Sequence, residues 1–144
     1  MTMTIVRRLG VLTAAAAGLL AAIPLATAAA ADAAEKTCWT TERVVLKNEG
    51  VWTYSYWVTW CAEGKDIVSI ERTQTNRVLN RACNWVGIRE ASEKPTEDGT
   101  GREVFTLGEF LCRGDVGAKG VNPWVILNLY PDGTSKVIAE GIHP

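Results

Sequence analysis

The sequence predicts an all-β protein: an antiparallel β-sandwich of about seven strands stapled by two disulfides. Three observations point there. Short runs rich in Val, Ile, Thr, Trp and Tyr recur along residues 38–141, separated by Gly, Asn, Asp and Pro. No run in that region repeats its apolar residues at helical spacing. The chain also carries four cysteines, Cys38, Cys61, Cys83 and Cys112, in a context that favours their oxidation. A small β-barrel is the alternative arrangement of the same strands.

The context comes from the first thirty-odd residues. Arg7 and Arg8 close a basic head, and Leu9 to Ile23 is uncharged and rich in Ala and Leu. Pro24 breaks the run, and both Ala26-Thr27-Ala28 and Ala31-Asp32-Ala33 fit an A-x-A cleavage site. Together these are the parts of a secretory signal peptide. Residues 1–33 are assigned to it, a cut nearer 28 fitting equally well, and residues 34–144 to a single secreted domain. A retained membrane anchor is the competing reading. Weakly apolar Ala, the break at Pro24 and the lack of a following basic cluster argue against it. The full chain has a net charge of −1, and removing Arg7, Arg8 and Asp32 makes it one unit more acidic. Such a domain has no electrostatic handle on nucleic acid or on an anionic membrane.

Four cysteines in an exported chain are expected to form two disulfides. Three pairings are possible. Cys38–Cys61 with Cys83–Cys112 is favoured, because each bond ties neighbouring segments. A zinc site is the rival use. It lacks support, since no two cysteines stand at C-x-x-C spacing and His143 is the only histidine. No metal or other cofactor is expected.

The elements follow in order. Cys38 to Lys47 reads as a first strand and Lys47-Asn48-Glu49-Gly50 as a turn. Val51 to Cys61 is the clearest strand: Trp52, Tyr54, Tyr56, Val58 and Trp60 alternate with Thr53, Ser55, Trp57 and Thr59. After the turn Ala62-Glu63-Gly64-Lys65, strand character resumes from Asp66 to Thr73. Thr73 to Arg81 is polar and reads as a loop with a short edge strand at most. Cys83 to Glu90 is a strand, Ala91 to Arg102 the longest polar loop, Glu103 to Arg113 a strand, and Gly114 to Asn122 a loop with three glycines. Pro123 to Tyr130 is nearly all apolar and is expected to be a central strand buried on both faces. Pro131-Asp132-Gly133-Thr134 is a tight turn into a last strand, Ser135 to Gly141.

The run Tyr56-Trp57-Val58-Thr59-Trp60-Cys61-Ala62-Glu63-Gly64-Lys65, followed by Ile67-Val68-Ser69-Ile70, resembles small secreted actinobacterial proteins of unknown function. Those proteins join a Trp-Cys strand end to a Gly turn and an Ile/Val strand. The hairpin from Trp124 to Thr134 fits the same picture. The resemblance implies a β-sandwich and brings no activity with it.

Residues able to carry chemistry are few. The one histidine stands next to last, so a Ser-His-Asp or Cys-His unit would rest on a chain end. No Gly-rich phosphate loop and no metal-ligand spacing is present. Glu103 and Glu109 share a strand face and are the best pair for a carboxylate-dependent hydrolase. The aromatic row Trp52, Tyr54, Tyr56 and Trp60 is either a sugar-stacking surface or the core of the sandwich. If it is core, Trp57 is the exposed aromatic on the opposite, polar face and the better contact for a partner. Two segments suit a protease-inhibiting loop. One runs from Cys112 to Gly120, offering Arg113 and Lys119, and the other is Glu93-Lys94-Pro95-Thr96. The glycines of the first make it flexible, which counts against that use. Arg113-Gly114-Asp115 also matches a cell-adhesion tripeptide, a match close to chance. The sequence thus points to a non-enzymatic binding module with an extracellular protein or polysaccharide as partner. A protease inhibitor and a small hydrolase are the alternatives.

Overall fold

A computed structural model describes residues 35–114 and 117–144; the signal-peptide reading of residues 1–33 lies outside them. Eight strands form: β1 Lys36–Thr40, β2 Val44–Asn48, β3 Trp52–Glu63, β4 Asp66–Val78, β5 Cys83–Pro95, β6 Arg102–Gly114, β7 Gly117–Leu129 and β8 Ser135–His143. They make two antiparallel sheets packed face to face. In the first, β4 lies along one edge of β3, while β1 and β2 share the other. β1 pairs with Thr59–Glu63 and β2 with Trp52–Tyr56. The second sheet is the meander β5-β6-β7-β8.

The count is eight rather than seven because the expected run Cys38 to Lys47 breaks at Thr41. Its amide donates to the Val58 carbonyl at 2.9 Å, and its hydroxyl accepts from the Val58 amide at 3.1 Å. A side chain thus stands in for one ladder bond, and the edge steps from β1 to β2. Three expected loops prove to be strand over half or more of their length. β4 runs on through Thr73 to Val78, β5 through Ala91 to Pro95, and β7 starts at Gly117. Backbone pairing with β3 and β6 holds these polar stretches extended whatever their side chains prefer. The long loop shrinks to residues 96–101, closed by Thr96 N–H donating to the Gly101 carbonyl at 3.1 Å. The turn after β3 contracts to Gly64-Lys65, with Gly64 at φ 62°, a conformation glycine adopts without strain.

Both favoured disulfides are present. Cys38–Cys61 staples β1 to β3 and Cys83–Cys112 staples β5 to β6, closing sequence separations of 23 and 29 residues. Each stabilises by about 3.5 kcal/mol in the chain-entropy account. The core lies between the sheets. Trp52, Tyr54, Tyr56, Val58 and Trp60 of β3 meet Val104 and Phe110 of β6 and Val125, Leu127 and Leu129 of β7. Trp52 stacks on Phe110 at 4.5 Å between centroids. Two hydrogen bonds cross the core: Tyr54 Oη to Thr106 Oγ1 at 3.2 Å, and Trp60 Nε1–H donating to the Tyr130 carbonyl at 2.9 Å.

Candidate functional site

β3 sorts its aromatic residues by side. Trp52, Tyr54 and Tyr56 are fully buried, so the reading of this row as a ligand-stacking surface is corrected: these rings fill the core. Burial raises the phenol pKa of Tyr54, partly offset by its bond to Thr106. Burial likewise pushes Tyr56 up to about 12, against the lowering charge of Arg72. Among the described residues, no hydrogen bond completes the Tyr56 hydroxyl. Trp57 points the other way and is half-buried. The Arg43 guanidinium lies 4.4 Å from its ring centroid, a cation–π contact of about 0.5–1 kcal/mol. In register around Trp57 stand Thr40, Thr53, Thr59, Thr73 and Thr75. Of the aromatic candidates on β3, Trp57 alone stays on a surface, and that surface is polar.

The carboxylate pair separates. Glu103 and Glu109 both face outward from β6, but six residues of extended chain hold them about 20 Å apart. A glycosidase pair needs roughly 5–9.5 Å. Each is also engaged, Glu103 with Lys94 Nζ at 3.0 Å and Glu109 with Arg89 Nε at 3.4 Å. The expected inhibitor loop after Cys112 is instead a hairpin. Arg113 pairs with Ala118 and Cys112 with Lys119, while Asp115 of the adhesion tripeptide lies outside the described residues. Glu93, Lys94 and Pro95 belong to β5 and Thr96 is buried, so this segment is strand rather than loop.

A second surface, missed in the sequence, lies on the outer face of the second sheet. Val104, Thr106 and Phe110 of β6 and Val125, Leu127 and Leu129 of β7 point inward and are buried. The intervening residues therefore point out. Register aligns Phe105 with Ile126 and Ala139 in one row, and Leu107 with Trp124 and Gly141 in the next. Phe105, Leu107, Trp124 and Ile126 are half-buried, each flanked by the others. This corrects the expectation that Pro123 to Tyr130 is buried on both faces: one face is core, the other apolar and uncovered. The Trp124 indole lies against the Gly141 backbone, where a Cβ would stand 2.9 Å from three of its atoms. The His143 ring lies near-parallel to it, 5.5 Å away.

Four residues along β7 from Trp124, the apolar face gives way to a polar depression of about 320 Å³. Asp98, Glu103, Asn128, Tyr130 and Ile138 line it. Asn128 Nδ2 donates to Tyr130 Oη at 3.4 Å, whereas Asn128 Oδ1 is shielded and has no partner among the described residues. The Thr96 hydroxyl and the Thr100 amide hold the Asp98 carboxyl below the usual range. Among the described residues no cluster of three or more His, Cys, Asp or Glu side chains could hold a metal. An apolar platform beside a group of hydrogen-bonding side chains can hold a ligand with flat C–H faces and many hydroxyls. Compared with protein-family models, curated proteins and solved structures, the chain matches none.

Proposed function

We propose that the protein is a secreted, non-enzymatic binding module that holds an extracellular polysaccharide on the outer face of its second sheet. The observation that carries the reading is the apolar character of both faces of that sheet. An antiparallel sheet in a two-layer sandwich ordinarily turns a polar face to water. A contiguous apolar patch on the outside marks a contact surface. Trp124 offers a flat indole at low entropic cost for the C–H face of a sugar ring. Asn128 stands about 13 Å further along β7, its amide on the Tyr130 hydroxyl, in reach of the hydroxyls of a sugar unit further along the same glycan chain. The two disulfides suit an oxidising, extracellular setting.

The test is depletion of the oxidised mature protein by insoluble chitin, cellulose, xylan and peptidoglycan. Saturable retention on one of them is expected. It should be lost in Trp124→Ala and kept in Trp57→Ala. Retention lost only in Trp57→Ala would move the contact to the first sheet. No retention on any of the four would end the polysaccharide reading and leave this face to a protein partner.

A further inference from the structure

The two sheets do not cover each other equally. On one side of the sandwich, Arg72 of β4 reaches across to β5, donating to the Ser92 carbonyl at 3.4 Å and to Glu93 Oε2 at 3.2 Å. On the other side, among the described residues, no side-chain hydrogen bond joins β2 to β8. Register sets Ser135, Val137, Glu140 and Ile142 of β8 opposite Leu129, Leu127, Val125 and Pro123 of β7. Those β8 side chains share the core-facing side of the sheet. Yet Val137 is 44% exposed and Ile142 42%, while Leu127 and Val125 are buried. The core face of the second sheet therefore extends one strand beyond the edge of the first. Beside that strip runs β2, which among the described residues pairs with β3 alone. Half of its backbone donors and acceptors accordingly point away from the sheet. Between the two lies a cleft of about 490 Å³, lined by Glu42, Arg43, Val45, Leu127, Val137 and Glu140 among others; the Arg43 guanidinium is turned to the Trp57 ring, 4.4 Å from its centroid.

We infer that this cleft is a strand-accepting groove that binds an extended, cationic peptide segment of a partner protein beside β2. A strand there would take main-chain hydrogen bonds from β2 and cover β8, making the first sheet four strands wide at that level, as wide as the second. Successive side chains of a strand alternate, so every second residue of the peptide would face Leu127, Val137 and Glu140. The first two ask for apolar residues. Glu140 and Glu42 ask for Lys or Arg, since among the described residues neither carboxylate forms an ion pair. Inward-pointing charge on an edge strand deters pairing of that edge with a second copy of this chain, and Glu140, opposite the buried Val125, is such a charge on β8. The groove is separate from the Trp124 face and does not depend on it.

The probe is a blocked peptide, acetyl-Ser-Val-Thr-Val-Thr-Lys-Ser-amide, titrated into the uniformly 15N-labelled mature protein. Saturable amide shifts confined to β2 and β8 are expected, with binding at least tenfold weaker when Glu replaces the peptide Lys. Val137→Lys, at an exposed position that leaves the fold intact, should weaken binding by a similar factor. Shifts absent at millimolar peptide, shifts mapping elsewhere, or equal binding of the Glu peptide would overturn the inference. If the same amides shift on raising protein concentration without peptide, a second copy fills the groove and the peptide assignment fails. Shifts that survive in Trp124→Ala keep this result distinct from the polysaccharide reading.

Discussion

The bond between Tyr54 Oη and Thr106 Oγ1 joins the two sheets through the middle of the core, and a double-mutant cycle measures whether it is there. The hydroxyls are 3.2 Å apart, in residues 0% and 2% exposed. Thr106→Val keeps the shape of the side chain and removes its hydroxyl, leaving the Tyr54 hydroxyl without a partner in a dry interior. An orphaned buried polar group costs about 1–3 kcal/mol. Tyr54→Phe leaves the Thr106 hydroxyl alone and keeps the ring against Trp85, whose centroid is 5.7 Å away. That change is expected to cost about 1 kcal/mol. The double variant orphans nothing, so its loss should fall short of the sum of the single losses by about 1 kcal/mol. The assay is urea unfolding of the oxidised protein followed by far-UV circular dichroism, with an unchanged m-value as the control for two-state behaviour. Single losses that add within about 0.3–0.5 kcal/mol would show that the hydroxyls do not meet. They would refute the stacking of β3 on β6.

Other consequences follow from the same packing. Burial favours the neutral form of Tyr56, whose pKa rises from 10.0 to about 12. Its contribution is fully present below pH 10 and is lost as the pH rises toward 12, by on the order of 2–3 kcal/mol. Unfolding midpoints between pH 8 and 12 should show this decline, and Tyr56→Phe should flatten it; an equal decline in the variant contradicts the burial. Trp57→Ala gives up a cation–π contact and half-buried area and should cost about 1 kcal/mol. Phe110→Ala, in the core, should cost about 3–5 kcal/mol. Equal costs would place Trp57 inside.

The parts of the fold legible in the sequence are those where side chains and backbone agree. β3 alternates at period two from Trp52 to Trp60, and the structure buries the large apolar set as expected. The cysteine pairing was legible because each bond joins nearby stretches of chain that pair as neighbouring strands, β1 with β3 and β5 with β6. The far halves of β4 and β5 were not legible. Their residues are polar on both faces, and what holds them extended is pairing to β3 and β6, which no local pattern reports. The Trp124 surface was hidden for the opposite reason. A run apolar at every position, such as Trp124 to Leu127, reads as buried on both sides. Only the register against β6, with Leu107 beside Trp124 and Phe105 beside Ile126, separates a core face from an uncovered one. The step at Thr41 depends on a hydroxyl meeting an amide seventeen residues away, a contact with no sequence signature.

The central claim is that the outer face of the second sheet is the binding surface. Binding isotherms of the wild type and of Trp124→Ala, on whichever insoluble polysaccharide retains the wild type, test it most directly. Circular dichroism and the urea midpoint serve to confirm that the variant is folded. The account predicts saturable binding by the wild type and at least a tenfold loss of affinity in the folded variant. Isotherms that superimpose, or a wild type that stays in solution with every polysaccharide, would contradict it.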